Sequence, residues 1–397
     1  MNDSDNALAR LLSLPDLKNS GYANTATEIA SQPEMWRRTG RLFYELAPEI
    51  KAFLGSSPRL LLSGAGSSHY VGMSIVPALR RVFDAAEAVP STEIVMDPQS
   101  CFPREDFILI SFARSGDSPE GNAVVELAEK LRPGRVRHIA ITCNPKGGLA
   151  SIVKGIGDRG LVIVLPEGTN DRGLAMTASF SSMVLAGFLL SIAYRDGPEK
   201  CVAVADSLSR TGQNIIGAFS DLAAMLSKEG FCRAFFIASR PFFGGALEAH
   251  LKVQELSGGA IVAKAEDTLG LRHGFMAAIE SESLVVLYFS ADPYRRLYEI
   301  DIAREIRKKK LGKKTIAISD SAEDLTNLAD YIFETGNGSV VNDDYRALVA
   351  VLPGQLIGLF SSLSLGLKPD TPSPSGIINR VVSGVIIHPY PNLAEDR

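Results

Sequence analysis

The chain has 397 residues, 46% hydrophobic and 22% charged, with a formal net charge of −4. That length exceeds one ordinary core and favours two domains, and the mildly acidic balance argues against nucleic acid or an anionic membrane as the main partner. The acids of MNDSDNALAR stand where a signal peptide carries a basic start, and the 4 cysteines are widely separated with no CxxC, so a cytoplasmic protein with free thiols is expected.

Residues 1–50 are predicted to form a helical segment, with Trp36, Leu42, Phe43 and Leu46 giving the apolar periodicity and Pro33 interrupting it. A first domain over residues 51–215 opens with a strand at 59–63, the turn Gly64-Ala65-Gly66-Ser67-Ser68, and a helix bearing Val71, Ile75, Leu79 and Val82. Further strands are predicted at 107–112, 137–142 and 160–165, each followed by helix-compatible sequence. The apolar run at 183–194 is shorter than the ~20 residues a membrane span requires and reads as a buried helix. A second domain over residues 216–397 repeats the pattern, with strands at 234–239, 284–289, 315–319 and 331–334, offset by roughly 170 to 177 residues. Alternating strands and helices imply an α/β fold of two tandem parallel sheets flanked by helices, with ligands beyond the carboxyl ends of the strands. The basic run at 304–314 reads as a solvated helix face. A Pro-rich loop at 368–376 leads to an extended segment at 381–388.

The residues suited to chemistry lie in both halves. After the strand at 107–112 comes Ala113-Arg114-Ser115-Gly116-Asp117-Ser118, and then Pro119 opens a helix carrying Val124, Leu127, Ala128 and Leu131. Free N–H groups at a helix start, the hydroxyls of Ser115 and Ser118, and a glycine that permits close approach suit a phosphate; an ordinary capped turn is the alternative. Ser67 and Ser68 form a second hydroxyl cluster, and Met176-Thr177-Ala178-Ser179 a third. Gly64 and Gly66 begin like a dinucleotide fingerprint, but His69 stands at its third glycine. In the second half, Glu248, Lys252 and Glu255 share one helix face, which by spacing alone is a solvated ion-pair ladder. His273 follows in a loop, and beside a glutamate in a cleft it would serve as an acid and base. Asp292 and Pro293 replace the serine turn in the second copy, so phosphate chemistry is expected in the first copy only.

The set GAGSSHY, ARSGDSPEG, AMTASFSS, ALEAHLKVQELSGG and LRHG resembles the sugar isomerase (SIS) fold family in its tandem-domain form. EIASQPEMW and NRVVSGVIIHPY resemble, more narrowly, its tagatose-6-phosphate ketose/aldose isomerase group, also described as galactosamine-6-phosphate deaminase. The resemblance implies two SIS-type domains, a sugar phosphate substrate, no cofactor, and a homodimer or larger assembly. It implies phosphate binding by Ser67, Ser68, Ser115, Ser118 and Thr177, with Arg114 contributing. Glu255 would be the base at the sugar C2 position, Glu248 and Lys252 would orient hydroxyls, and His273, from its own or a neighbouring subunit, would open the ring. Three positions depart from the related synthase: Ala113 for the first loop serine, Phe275 for the proline after His-Gly, and Ser383 for a late lysine. The expected reaction is conversion of galactosamine 6-phosphate to tagatose 6-phosphate and ammonia. Aldose-ketose isomerisation, deamination of the gluco epimer, a phosphosugar sensor, and a nucleotide-dependent oxidoreductase on Gly64 and Gly66 are the alternatives.

Overall fold

The computed structural model describes residues 6–56, 58–335, 342–373, 380 and 384–391. Two helices lead in, α1 (Ala7–Leu12) and the long α2 (Ala23–Leu54). The first sheet is built from β1 (Arg59–Gly64), β2 (Ala85–Pro90), β3 (Phe107–Ala113), β4 (Val136–Thr142) and β5 (Gly160–Val164). Its helices are α3 (Ser67–Leu79), α4 (Ser91–Met96), α5 (Pro98–Cys101), α6 (Pro119–Leu131), α7 (Gly148–Gly155) and α8 (Ala178–Arg195). A helix of 32 residues, α9 (Pro198–Glu229), leads to the second sheet. That sheet comprises β6 (Arg233–Ile237), β7 (Val262–Glu266), β8 (Ser283–Tyr288), β9 (Lys314–Ser319) and β10 (Tyr331–Glu334). Its helices are α10 (Phe243–Leu256), α11 (Pro293–Lys309), α12 (Asp343–Arg346) and α13 (Leu352–Ser364).

Both sheets are parallel and share one order, β2-β1-β3-β4-β5 in the first and β7-β6-β8-β9-β10 in the second. In such an order the chain reverses its direction of winding between the first and third strands, and a crevice opens beyond their carboxyl ends. Strand alternation divides the core. Leu60, Leu62, Ile108 and Ile110 join Phe236, Val286, Trp36, Phe180 and Phe219 in one central core between the sheets, while Leu61 and Leu109 face an outer layer with α4, α6 and α7. A third cluster lies between the second sheet and α11. α8 is long and apolar enough to cross a membrane, but 89% of it is buried in this central layer.

Three details depart from the sequence reading. Pro33 does not interrupt α2, which runs through it. A proline cannot donate to the carbonyl four residues back, and here the side-chain amide of Gln32 donates to Ile29 O at 3.0 Å instead. The edge strand β2 escaped prediction because AAEAVP has little β-branched or aromatic character. The divisions expected at residues 50/51 and 215/216 fall inside α2 and α9, both of which pack in the shared core. Ser383, part of the segment 381–388, and the end of the 368–376 loop lie outside the described residues; 384–388 is neither helix nor strand.

Candidate active site

Beyond the carboxyl ends of β1 and β3 lies a cavity of about 150 Å³. Of the residues singled out in the sequence, Ser68, Arg114, Ser115 and Ser118 line it, together with Gly121 and Asn122 from the first turn of α6. Gly116 takes φ +74°, a left-handed conformation that favours glycine, and so folds the loop back over the strand ends. The loop is braced from α7's side, where Leu149 N–H donates to Gly116 O at 2.9 Å and Gly148 N–H to the Asp117 carboxylate at 3.0 Å. Ser115 Oγ accepts the Asp117 N–H at 3.2 Å, a contact that does not consume its proton. Ala113 brings no hydroxyl, but Ser111, two residues back on the same strand face, lines the cavity and supplies one.

Ser67 and Thr177 do not line this cavity. Thr177 donates its hydroxyl to Asp171 Oδ1 at 3.1 Å and its N–H to Oδ2 at 2.8 Å. Ala178 and Ser179 N–H groups go to the same carboxylate, so the third hydroxyl cluster is the Asp171-capped start of α8. Ser67 faces the other half of the protein, where its Oγ accepts from Lys252 Nζ at 3.2 Å.

That lysine belongs to α10, which lies hard against α3: a Cβ added at Gly244 would come within 2.4 Å of Ser74 N. Lys252 Nζ is 3.1 Å from Glu248 Oε1 and 2.5 Å from Glu255 Oε2. The solvated ladder that spacing favours is therefore a buried cluster. Glu248 and Lys252 are fully buried, whereas the Glu255 side chain keeps 30% exposure. Burial pushes the Glu248 carboxyl up to about 7, with Lys252 only partly offsetting it. Burial pulls on Lys252 in the opposite direction, but the Glu248 and Glu255 charges outweigh it and hold the ammonium above its ordinary range. Glu255 also acts electrostatically on Arg114, although neither it nor Glu248 nor Lys252 lines the cavity. Successive residues of one helical turn thus join two chemistries, with Ser67 facing the acid-base cluster and Ser68 the cavity.

His273 ends a 3-10 turn, Gly270–His273, and is exposed. It does not line the cavity. Phe275 beside it is 43% exposed, with the Lys264 ammonium 4.6 Å from its ring centre. Sequence reasoning missed Ser63, Ser91, Ser111, Asn122 and Arg380, all of which line the cavity. The serines carry no flanking signal because they sit within or beside strands, and Arg380 lies more than 260 residues from the loop it joins. Among the described residues, no three His, Cys, Asp or Glu side chains form a metal-ligand group.

No protein-family model matches the chain. A Streptomyces coelicolor protein that bears the name AgaS is 40% identical over 375 residues, which span 92% of this chain and 95% of that one. The D-galactosamine-6-phosphate deaminase AgaS of Escherichia coli is 34% identical over 380 residues, 92% of this chain and 96% of its own. The chain belongs to the AgaS family. The solved structure of tagatose-6-phosphate ketose/aldose isomerase from Escherichia coli superposes with a TM-score of 0.82 at 31% identity, covering 92% of this chain and 96% of that one. The AgaS fold is thus the tandem SIS architecture that the sequence motifs resemble, here with its strand-end cavity in the first sheet and its charged helix in the second.

Proposed function

We propose that this chain is a D-galactosamine-6-phosphate deaminase that yields tagatose 6-phosphate and ammonia. The observation that carries the reading is the shared first turn of α3, which sets a hydroxyl- and guanidinium-lined cavity beside the Lys252 cluster. Ser68, Ser115 and Ser118, the N–H groups opening α6, and Arg114 hold the phosphate. With the phosphate fixed there, the sugar's C1 and C2 extend toward Glu255.

The open-chain aldehyde acidifies the C2 proton, and Glu255 removes it. Returning a proton to C1 converts the enolamine to a ketose imine, and water cleaves the imine to ketose phosphate and ammonia. The substrate carbonyl is the electron sink, so the scheme calls for no organic cofactor. Lys252 holds Glu255 in place and balances its charge. Glu248, pushed up to about 7, keeps a proton within the cluster near neutral pH. His273 opens the ring, and because it is exposed on its own chain, it acts across the boundary of a homodimer or larger assembly, from a neighbouring copy.

Proton transfer by a placed side chain is worth about 10² to 10⁴ in rate. Glu255→Gln is therefore expected to lower kcat by at least about 10²-fold while sugar phosphate binding persists. The test is ammonia release from galactosamine 6-phosphate and glucosamine 6-phosphate side by side, with binding measured by calorimetry. A variant that keeps most of its turnover refutes the assignment. The related Escherichia coli tagatose-6-phosphate ketose/aldose isomerase adds one comparison, interconversion of tagatose 6-phosphate with its aldose, which follows the same route with oxygen in place of nitrogen.

A further inference from the structure

Two guanidiniums line the cavity, those of Arg114 and Arg380. Arg114 is buried and donates to three main-chain carbonyls, Gly173 O at 3.2 Å, Leu174 O at 3.0 Å and Arg380 O at 2.8 Å. Arg380 donates through Nε to Asp171 O at 2.7 Å and through Nη2 to the Asn170 side-chain oxygen at 2.7 Å. All five acceptors are uncharged carbonyl oxygens. The Asp171 and Glu255 carboxylates do act on Arg114 electrostatically, but neither is hydrogen-bonded to it: the Asp171 oxygens are taken by the N–H groups of Thr177, Ala178 and Ser179, and Glu255 pairs with Lys252. Burial, and after it the positive charge of Arg380, holds the Arg114 guanidinium below its ordinary range.

Two like charges are therefore held side by side at a cavity wall, fixed by neutral acceptors. A bound dianion removes their mutual repulsion, and a phosphate monoester carries nearly two negative charges at neutral pH. We infer that Arg380, contributed from the far end of the chain, is a second cationic anchor that pairs with Arg114 on the phosphate of the substrate. The inference rests on the proposed phosphate site. Hydroxyls and main-chain N–H groups orient a phosphate, whereas a guanidinium pair favours the dianion over an unphosphorylated amino sugar.

The test is calorimetric titration of the full chain with inorganic phosphate and with galactosamine 6-phosphate, for wild type, Arg380→Ala, Arg380→Lys and Asn170→Ala. Arg380→Ala is expected to bind both ligands about 10- to 100-fold more weakly, the loss typical of a charge-assisted hydrogen bond. KM should rise with it far more than kcat falls. Arg380→Lys, which keeps the charge without the fork, should recover part of the loss. Added salt should weaken wild-type binding more steeply than that of Arg380→Ala. Asn170→Ala removes a contact of Arg380 but not its charge. If it matches Arg380→Ala in both affinity and salt slope, the arginine only braces residues 170–171 and the inference falls. Wild-type binding that Arg380→Ala leaves unchanged also overturns it, alone. A wild-type protein that binds neither ligand overturns the phosphate site itself, and this inference with it.

Discussion

At the carboxyl end of the first sheet, Ser115 and Ser118 line an open cavity; at the matching end of the second, Ser239 and Ser290 are covered by the protein's own carboxylates. Ser239 donates to Glu299, and Ser290 donates its hydroxyl to Asp343 at 2.5 Å and its N–H to Glu299 at 2.7 Å. Asp343 also takes the Ala291 N–H at 3.0 Å and pairs with Arg295 at 3.1 Å and Arg346 at 2.8 Å. Hydroxyl, main-chain N–H and guanidinium groups thus converge on a carboxylate in the second half, much as the first half gathers them around a cavity. The exchange of the serine turn for Asp292 and Pro293 leaves anion-binding groups in the second copy. It accompanies an internal anion that occupies them. A ligand site at a duplicated strand end needs the donors and also the absence of a tethered competitor.

The largest way to break this comparison is Asp343→Ala. It takes from the buried Arg346 and the half-buried Arg295 their shorter ion pair, leaving Asp320 at 3.5 Å and Asp292 at 4.0 Å, and removing one partner of a buried pair costs up to about 3–5 kcal/mol. Chemical denaturation should show that loss while phosphate affinity stays at the wild-type value. A stability change under about 1 kcal/mol would mean that the second strand end is not an internally filled anion site.

The mirror experiment at the open end has a smaller effect and appears in a different observable. Ser115→Ala should weaken galactosamine 6-phosphate binding by roughly 1.5–3 kcal/mol, the worth of a hydrogen bond to a charged group, and change unfolding stability by less than about 0.5 kcal/mol. Loss of stability with unchanged affinity would reverse the roles assigned to the two ends.

The parts of the molecule that local pattern controls were legible in the sequence. Apolar runs such as FILISFA fix buried strands, and the serine-glycine turns after β1 and β3 mark the crevice. Repetition of the pattern gave the second sheet. What stayed hidden depends on long-range packing. Nothing in the spacing of Glu248, Lys252 and Glu255 separates a buried cluster from a solvated one; the close approach of α10 to α3 at Gly244 decides it. Likewise, Thr177 has the composition of an anion ligand, and only the position of Asp171 shows that its hydroxyl is already engaged. The basic run at 304–314 was legible by contrast: Arg304, Arg307, Lys308 and Lys309 are exposed, and Arg307 forms a surface pair with Asp330 at 2.9 Å.

The smallest expected effect is a slope, and it compares the two buried glutamates. Burial raises both Glu248 and Glu299, but Glu299 is held by Ser239 and Ser290, whereas Glu248 depends on Lys252 and Ser67. A carboxyl whose pKa moves from 4.5 to about 7 on folding binds more protons in the native than in the unfolded state across that window. Its contribution is therefore most favourable below about pH 4.5 and declines as pH rises toward 7. One such group changes stability by at most about 1.4 kcal/mol per pH unit. Glu28, raised to about 7 by burial and then by Asp171, acts in the same sense and leaves a residual slope in any Glu248 variant. Glu248→Gln keeps the side chain's size and removes its titration. Stability measured by denaturant at several pH values should then fall less steeply between pH 4.5 and 7 than in wild type. Identical slopes would show that Glu248 stays ionised beside Lys252, and that the proton retained at the open end lies elsewhere.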